Sequence, residues 1–203
     1  MAAPLPPGPH RVRENSLTMR IIAGQFGSRR LKSLKNLKIR PTSDMLRETL
    51  FNILGWRVRE ARFLDLFAGS GAVGIEAISR GAAHVVLVEN HRPTAKLITE
   101  NLALLEITAC ARVIVSDALA AISKLESERF ASVDFVFLDP PYANERDYYA
   151  VLQALEKSAL LADASTVVAE HRKTFALPCA IGRLQQFRTV KQGDAALTFY
   201  RSA

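Results

Sequence analysis

A glycine-rich run between a strand pattern and a helix pattern constrains the fold of this chain more than any other feature. The apolar residues 63–67 predict a strand, and residues 69–74 follow with the spacing G-x-G-x-x-G. An apolar helix pattern containing Ile75 and Ile78 comes next. Because the glycines permit a tight turn and a close approach of the backbone, a cofactor can lie against the N–H groups at the start of the helix. The run therefore predicts a cofactor-binding loop in a Rossmann-like fold.

Strand and helix patterns continue to alternate along the rest of the chain. After the glycine run, we predict strands at residues 85–88, 113–115, 133–138 and 166–170, separated by helices at 94–105, 118–125 and 146–155. Repeated β-α-β units give a mostly parallel sheet with helices on both faces. Two further strand patterns, at 183–190 and 196–200, flank the turn signal Lys191-Gln192-Gly193-Asp194. They predict a C-terminal antiparallel hairpin that closes the sheet.

Two acids near the ends of predicted strands separate the possible cofactors. Glu89 ends the second strand, twenty positions after Gly69, where its carboxylate can accept hydrogen bonds from two ribose hydroxyls. Both a dinucleotide and S-adenosylmethionine present such a ribose. Asp65 lies on the first strand, just before the glycine run, where it would repel a pyrophosphate and attract the ammonium of a methionyl group. The pair favours S-adenosylmethionine over NAD.

The stretch Asp139-Pro140-Pro141-Tyr142 follows the apolar run 133–138 and carries the signal for the reaction. A carboxylate followed by proline carbonyls offers hydrogen-bond acceptors without a competing backbone N–H, which suits the two N–H donors of an exocyclic amine on a nucleobase. Tyr142 supplies a ring on which the base can stack. The alternative is an ordinary strand-to-loop corner, where Asp-Pro and Pro-Pro are common. All four residues are candidate catalytic residues because a cofactor loop is predicted upstream.

Asp117 follows the third predicted strand, in the crevice where ligands of such a sheet bind. Its side chain can accept a hydrogen bond from the adenine amine of the cofactor, although a helix N-cap explains the residue equally well. The residues expected to bind the cofactor are Asp65, Phe67, Ala68, Gly69, Ser70, Gly71, Glu89, Asn90, Asp117, Ala118 and Asp139.

The positive charge of the chain is concentrated in its N-terminal third. The formal net charge of the 203 residues is +7, yet residues 1–62 hold thirteen Lys or Arg against four acids, and the remainder carries a net −2. Residues 20–40 contain seven basic residues and no acid, and Gly27 marks the turn of a predicted short hairpin. A basic edge strand protected by its charges is one explanation. Contact with the phosphates of a nucleic acid is the other, and the contacts are expected from Arg29, Arg30, Lys32, Lys35 and Lys38.

A helix is predicted directly after this basic segment. Thr42 or Ser43 is the expected N-cap, and Asp44 lies in the first turn, where negative charge suits the helix dipole. Arg47 is expected away from the core face, and Trp56 is expected to pack at the helix end. The expected core face consists of Met45, Leu46, Thr49, Leu50, Ile53 and Leu54.

Composition and the rare residues exclude several classes of protein. Cys110 and Cys179 are too few for a disulfide framework and lack metal-ligand spacing, so we expect a reducing cytoplasm and no metal. No apolar run approaches the roughly 20 residues that span a bilayer. His171 lacks a neighbouring Ser, Cys or metal arrangement and is expected at the surface. Residues 1–18 predict a disordered tail, and Met19 is a candidate for the true start of translation.

Taken together, these motifs resemble the bacterial methyltransferases that modify guanine N2 in 16S ribosomal RNA of the small subunit. The resemblance runs from about Met19 to Arg201, and Met45 and Gln192 depart from the family pattern outside the reaction centre. It is carried by Arg20-Ile21-Ile22-Ala23-Gly24, Arg40-Pro41-Thr42, Arg47-Glu48-Thr49-Leu50-Phe51-Asn52, Asp65-Leu66-Phe67-Ala68-Gly69-Ser70-Gly71, Asp139-Pro140-Pro141-Tyr142 and Gly193-Asp194.

The resemblance implies a class I S-adenosylmethionine-dependent methyltransferase with a seven-stranded sheet. We expect a tail at 1–18, an RNA-binding extension at 19–60 and a catalytic domain at 61–203. The expected partner is 16S rRNA or an assembling small subunit, bound by a cytoplasmic monomer without membrane or metal. The expected RNA-binding residues are Arg20, Arg29, Arg30, Lys32, Lys35, Lys38, Arg40, Thr42 and Arg47.

Two other functions remain open at this point. A DNA adenine-N6 methyltransferase needs the same grip on a planar amine, and a target-recognition insert of tens of residues would favour it. A non-catalytic RNA-binding protein would need a spoiled cofactor site, whereas Asp65, Gly69, Gly71, Glu89 and Asp139 are all present.

Overall fold

The computed structural model describes residues 19–33, 42–141 and 145–202. The predictions made for the tail at 1–18 and for Lys35, Lys38, Arg40 and Tyr142 lie outside these residues. Within the described ranges, no helix is both long and apolar enough to cross a membrane.

The described chain contains five helices and eight strands, which alternate from α1 to β5 and are followed by three further strands. The first helix is followed by a 3₁₀ turn at Gly55–Val58. The helices are α1 Asp44–Leu54, α2 Ala72–Ser79, α3 Arg92–Leu104, α4 Ala118–Ser127 and α5 Glu145–Lys157. The strands are β1 Arg62–Asp65, β2 His84–Glu89, β3 Ala111–Val115, β4 Val133–Leu138, β5 Leu161–Arg172, β6 Ala180–Ile181, β7 Leu184–Gln192 and β8 Ala195–Ser202.

All described strands belong to one sheet, in the order β3-β2-β1-β4-β5-β8-β7-β6. The first five strands are parallel, and β8 runs antiparallel between β5 and β7. The predicted parallel sheet with a C-terminal antiparallel hairpin is therefore confirmed. The sheet has eight strands instead of the expected seven, because the short strand β6 pairs with the outer edge of β7. Two residues are too few to give an alternating pattern in the sequence.

The sheet separates two apolar cores. Alternate residues of each strand face opposite sides, so Phe63 and Phe135 lie in one core while Leu64 and Val136 lie in the other. Helices α1, α2 and α3 cover the first core, and α4 and α5 cover the second. Both faces of the parallel strands are buried, which leaves their carboxyl ends as the natural place for a ligand.

The basic segment before α1 forms the predicted antiparallel pair of short limbs. Arg20 and Arg30 form a β-bridge, Leu31 N–H donates to the Met19 carbonyl at 2.8 Å, and Ile21 N–H donates to the Arg29 carbonyl at 2.9 Å. Met19, Ile21 and Leu31 are buried in the first core. These residues, from Met19 to Lys32, are called the basic hairpin below. Its apolar side chains are anchored to the sheet while its charged side chains stay at the surface.

Helix α1 begins as predicted and buries Leu46, Leu50 and Leu54 as expected, but its buried face also includes Arg47 and leaves Met45 exposed. Ser43 Oγ accepts from Leu46 N–H at 3.2 Å, which confirms the N-cap. Met45 is 63% exposed and Trp56 is 83% exposed, so their predicted packing is wrong. Arg47 is completely buried instead. The basic hairpin covers the side of the helix that carries Arg47, and this tertiary contact is not visible in the helical periodicity.

Candidate active site

The carboxyl ends of the parallel strands bring the predicted acids to one edge of the sheet. Asp65 ends β1, Glu89 ends β2, Asp117 follows β3, and Asp139 follows β4. The register pairs Asp65 with Leu87 and Phe137, so Glu89 and Asp139, each two residues further along, lie on either side of the chain that leaves β1 as the glycine loop. The sequence predicted this gathering because parallel strands all end at the same edge.

The glycine loop joins β1 to α2 and leaves room for a ligand. Gly69 has a φ of 52°, and a Cβ added there would meet nothing within 4 Å, so the backbone borders open space. Gly74 has the opposite role, because a Cβ there would lie 2.7 Å from Leu87 Cδ2. One glycine opens the loop towards a ligand and the other lets α2 pack against β2. The N-cap of α2 is Gly71, which has no side chain to cap the helix, so N–H groups of the first turn other than that of Gly74 can face a ligand.

Asp65 is a buried acid with one oxygen still available. Its Oδ2 accepts from Gly74 N–H at 3.2 Å, while its Oδ1 is buried and has no hydrogen-bond partner among the described residues. Burial, with a smaller contribution from the charge of Glu89, raises the pKa of Asp65 to about 7, against the opposing effect of the backbone N–H groups of Gly74 and Phe67. A cation brought to Oδ1 would stabilise the charged carboxylate. The residue therefore fits the ammonium of S-adenosylmethionine and does not fit a pyrophosphate.

Glu89 holds the glycine loop in place and still faces the crevice. Its Oε2 accepts from Gly69 N–H at 2.9 Å, and its Oε1 accepts from His91 N–H at 2.8 Å. Each carboxylate oxygen has a second lone pair, so the side chain can also accept from ribose hydroxyls. Asn90, the next residue, is exposed. Phe67 and Ser70 are half-buried at the ends of the loop, and Ala68 is buried.

Asp117 is the N-cap of α4. Its Oδ1 accepts from Ala120 N–H at 2.9 Å, and the side chain is exposed. Ala118 behind it is buried. One oxygen of Asp117 therefore has a structural role, which was one of the two explanations considered for it. The other oxygen can still meet an adenine amine.

Asp139 follows β4, which lies between the strand of Asp65 and the strand of Glu170. The pKa of Asp139 is raised well above its ordinary value, first by burial, then by the charge of Glu170, and then by the charge of Asp65. Pro140 is buried behind it, and Pro141 is exposed. An acceptor group thus lies next to the cofactor loop, without a backbone N–H from the two residues that follow.

Glu170 on β5 is a site residue that the sequence analysis missed. It is 4% exposed, and Thr42 Oγ1 donates a hydrogen bond to its Oε2 at 2.8 Å. The prediction that Thr42 contacts RNA is wrong, because its hydroxyl is buried against Glu170. A lone acid inside an otherwise apolar strand pattern was the available signal for Glu170.

Two further buried residues connect the basic hairpin to the cofactor loop. Glu76 of α2 accepts hydrogen bonds from Ile22 N–H at 2.7 Å and Ala23 N–H at 3.0 Å. Asn101 of α3 binds the backbone of Lys32. At the loop itself, Ser70 Oγ donates to Met19 Sδ at 3.1 Å. Single polar residues on apolar helix faces were the only sequence signal for Glu76 and Asn101.

The basic hairpin presents its positive side chains to solvent. Arg29 and Arg30 are exposed, and the guanidinium of Arg29 lies 5.8 Å from the centre of the Phe26 ring. Arg20 and Lys32 form exposed ion pairs with Asp44 and Glu100, each at 3.0 Å. Exposed ion pairs contribute about 0 to 1 kcal/mol, so both cations can readily exchange their partner for a phosphate.

Arg47 does not belong to this surface. It is completely buried, and its Nη2 donates to the Arg20 carbonyl at 2.5 Å and to Asp44 Oδ1 at 3.0 Å. Its Nε lies 4.0 Å from Glu76. The prediction that Arg47 contacts RNA is therefore wrong, since its guanidinium anchors the hairpin from inside.

His171 is also buried, which corrects the prediction that it lies at the surface. One ring nitrogen contacts Thr198 Oγ1 at 2.8 Å, the other contacts the Arg172 carbonyl at 2.9 Å, and the ring packs edge-on against Tyr148. Burial lowers the pKa of His171. Its neighbours show a structural role in joining β5 to β8.

Comparisons with known proteins identify the family of this chain and agree with its fold. The family described as conserved hypothetical protein 95 matches residues 19–201. Ribosomal RNA small subunit methyltransferase D of Escherichia coli strain K12 is 34% identical over 183 residues, which cover 90% of this chain and 89% of that protein.

Solved structures give the same result at the level of the fold. The structure of yhhF from Escherichia coli superposes with a TM-score of 0.79 and 34% identity, covering 91% of this chain and 98% of that one. A SAM-dependent methyltransferase from Agrobacterium tumefaciens superposes with a TM-score of 0.59 over 86% of this chain and 66% of its own. At 16% identity, the second likeness concerns the fold alone.

Proposed function

The chain belongs to the family of the ribosomal RNA small subunit methyltransferase D proteins, described also as conserved hypothetical protein 95, and we propose that it methylates the N2 amine of a guanine in 16S rRNA with S-adenosylmethionine as donor. The observation that carries the proposal is the position of Asp139, a half-buried acceptor close to Asp65, whose Oδ1 has no hydrogen-bond partner among the described residues. The preference for guanine N2 rests on the resemblance of the motifs.

The residues around the glycine loop would hold the cofactor. Asp65 Oδ1 would accept from its ammonium, Glu89 from its ribose hydroxyls, and Asp117 from its adenine amine. Gly69 and Ser70 would provide backbone against which the cofactor lies. When bound, S-adenosylmethionine supplies the methyl group and a sulfonium leaving group.

Asp139, Pro140 and Tyr142 are proposed to hold the target amine and are called the amine grip below. They would perform the part of the reaction that belongs to the protein. The lone pair of guanine N2 is delocalised into the ring, so the amine must be turned towards tetrahedral geometry before it can attack. Asp139 and the Pro140 carbonyl would accept hydrogen bonds from the two N–H groups of the amine, and Tyr142 would fix the plane of the base by stacking. The contribution of the protein is positioning and electrostatic stabilisation.

The basic hairpin would bind the RNA around the target base. A base must leave its stack to reach the pocket, which costs a few kcal/mol, and less when it already lies in a loop. Phosphate contacts by Arg29 and Arg30 would offset this cost, and Arg20 and Lys32 would join them. Lys35, Lys38 and Arg40 carry charge of the same sign in the adjoining sequence.

Several broader expectations complete the proposal. The extension 19–60 would bind RNA and the domain 61–203 would catalyse the reaction. The partner would be 16S rRNA or an assembling small subunit, and the enzyme would act as a cytoplasmic monomer. The described residues contain no insert of tens of residues outside the sheet and its helices, which argues against a DNA adenine-N6 methyltransferase.

Methyl transfer to naked 16S rRNA, small subunits and duplex DNA, with mapping of the modified base, tests the substrate. We expect N2-methylguanine in rRNA or subunits. Product only in duplex DNA would support the adenine alternative, and no product from any substrate would support a non-catalytic binder.

Substitutions at the amine grip test the site. Asp139→Ala should abolish transfer while the dissociation constant for S-adenosylmethionine, measured by calorimetry, changes little. Full activity of this variant would remove Asp139 from the mechanism. Tyr142→Phe should keep much more activity than Tyr142→Ala, and equal losses would argue against stacking.

A further inference from the structure

Glu170 lies directly beside Asp139 across two neighbouring strands. Leu138 of β4 pairs with Ala169 of β5. The next residues along these parallel strands, Asp139 and Glu170, therefore lie next to each other at the carboxyl ends of the parallel strands. Glu170 is 4% exposed. Its negative charge acts on Asp139 strongly enough to help raise the pKa of that carboxyl, after the larger effect of burial. The two acids therefore form one electrostatic unit.

The position of Glu170 is fixed from two sides. Thr42 Oγ1, itself in a buried residue, donates to Glu170 Oε2 at 2.8 Å. The Tyr148 hydroxyl donates to the backbone carbonyl of Glu170 at 2.7 Å. A buried carboxylate next to another acid is costly for the fold. The position of Glu170 beside Asp139, at the carboxyl ends of the strands, points to a role in the chemistry.

We propose that Glu170 is a positioning residue for methyl transfer: held by Thr42, its carboxylate faces Asp139 and prepares Asp139 to take up the proton that the amine loses. This inference rests on the proposed function. It adds a third partner to the amine grip, contributed by β5 and by the segment before α1, which the glycine loop and the Asp-Pro-Pro-Tyr stretch do not include.

The proton balance shows where this partner acts. As a bond forms between N2 and the methyl carbon, the C–S bond breaks and its electron pair stays on sulfur. N2 then carries one proton too many. The proton passes to an Asp139 oxygen, its N–H electron pair stays on nitrogen, and the proton later exchanges with water. A neighbouring negative charge makes Asp139 a stronger base.

Two charged side chains act on Asp139 from the neighbouring strands. Glu170, on β5, has the larger effect, and Asp65, on β1, has the smaller one. Asp65 is expected to be engaged by the ammonium of the cofactor, which offsets its charge. Glu170 Oε2 accepts a hydrogen bond from the Thr42 hydroxyl, which holds the carboxylate in place.

Direct titration of Asp139 in the cofactor-free protein tests the inference without an activity assay. Carboxyl carbons of aspartate are labelled with ¹³C and followed by NMR against pH, with Asp139→Asn to identify the signal. Glu170→Gln should lower the pKa of Asp139 by about one unit or more, as expected when a like charge is removed. Thr42→Val should change the titration and Thr42→Ser should not. An Asp139 titration that ignores Glu170→Gln overturns the inference.

The pH dependence of transfer provides the second measurement. The acidic limb of kcat/KM should move to lower pH in Glu170→Gln, and kcat should fall about 10- to 100-fold, while KM for S-adenosylmethionine stays within about threefold. Glu128→Gln is the matched control, because Glu128 is an exposed acid paired with Arg112 far from this edge. An acidic limb that does not move, or an equal loss in the control, overturns the role of Glu170.

The two measurements separate this inference from the proposed function. If the wild type transfers methyl groups to rRNA and Asp139 titrates independently of Glu170, only the inference fails. If Asp139 responds to Glu170→Gln but the wild type modifies no RNA, the proposed function fails and the role of Glu170 in it fails too.

Discussion

The side-chain amide of Asn101 forms hydrogen bonds with both the backbone N–H and the backbone carbonyl of Lys32. Its Oδ1 accepts from Lys32 N–H at 2.8 Å, and its Nδ2 donates to the Lys32 carbonyl at 3.2 Å. The same Nδ2 lies 3.5 Å from the Ser70 carbonyl in the glycine loop. One buried side chain thus supports both a limb of the basic hairpin and the cofactor loop.

Asn101→Ala should weaken RNA binding without removing any positive charge. The backbone of Lys32 would lose two hydrogen bonds, and a buried lost bond costs about 1 to 3 kcal/mol. We expect a corresponding drop in the free energy of unfolding and an RNA dissociation constant about tenfold higher by fluorescence anisotropy. Thr99→Ala on the same helix is the control, since the Thr99 hydroxyl donates to the Ala95 carbonyl of its own helix. Unchanged RNA affinity in Asn101→Ala would mean that the hairpin does not need this support.

Asp65→Asn should change how the stability of the cofactor-free protein depends on pH. The pKa of Asp65 in the folded protein is about 7, above its ordinary value, so the folded state holds the proton more tightly than the unfolded chain. This stabilisation is complete at low pH and disappears as the pH rises through 7. It amounts to about 4 kcal/mol, because the pKa rises from 3.8 to about 7 and each unit corresponds to about 1.4 kcal/mol. Denaturant unfolding between pH 4 and 8 should therefore show a flatter profile in Asp65→Asn.

The same substitution should abolish cofactor affinity, because Asn carries no charge for the ammonium. Calorimetry with S-adenosylhomocysteine measures this separately from catalysis. If the stability of Asp65→Asn depends less on pH but the variant binds S-adenosylhomocysteine normally, the raised pKa of Asp65 is supported. Its role in binding the ammonium is then contradicted.

The double variant Arg29→Ala/Arg30→Ala should flatten the salt dependence of RNA binding. Each lost phosphate contact removes about 0.7 to 0.9 from the slope of log K against log salt concentration. Because both side chains are exposed, the free energy of unfolding should stay within about 0.5 kcal/mol. A slope equal to that of the wild type would place the phosphate contacts elsewhere on the protein.

Arg47→Met should lower the free energy of unfolding, in contrast to the double variant at Arg29 and Arg30. Its guanidinium lies near the buried carboxylate of Glu76, and breaking a buried pair costs about 3 kcal/mol. The variant should show a lower midpoint in denaturant. Loss of RNA affinity at unchanged stability would restore Arg47 as a direct RNA contact.

Asp117→Ser should separate the two explanations of that residue. Serine is also a good N-cap, so the free energy of unfolding should stay within about 0.5 kcal/mol, whereas Asp117→Ala should cost about 1 kcal/mol. A cofactor dissociation constant about tenfold weaker in Asp117→Ser would identify the remaining oxygen as an adenine contact. Wild-type affinity would leave Asp117 as a helix cap alone.

The parts of the fold and site that follow from local sequence were predictable. Strand and helix periodicity gives the parallel sheet, and the rule that ligands bind at carboxyl ends of strands gathers Asp65, Glu89 and Asp139 without any coordinates. Glu89 illustrates the limit of such reasoning. Its position was predicted, but its hydrogen bonds to Gly69 and His91 depend on how the loop folds back.

The errors at Thr42, Arg47 and His171 concern contacts between segments far apart in the chain. Arg47, Thr42 and His171 look like surface residues locally, yet each is buried against a distant segment. The partner of Thr42 is 128 positions away, and the partner of His171 on β8 is 27 positions away. Helical periodicity likewise cannot tell that the basic hairpin, and not solvent, covers one side of α1. These residues need the tertiary structure because their partners decide their burial.

The place of β8 between β5 and β7 has a consequence for synthesis of the protein. Every other described strand leaves the ribosome before β8, yet β5 can complete its pairing only when β8 arrives. Until then, β5 presents an open edge beside the residues that hold Asp139, and His171 lacks its contact with Thr198. During synthesis the cofactor loop can therefore form early, whereas the surroundings of Asp139 are completed last.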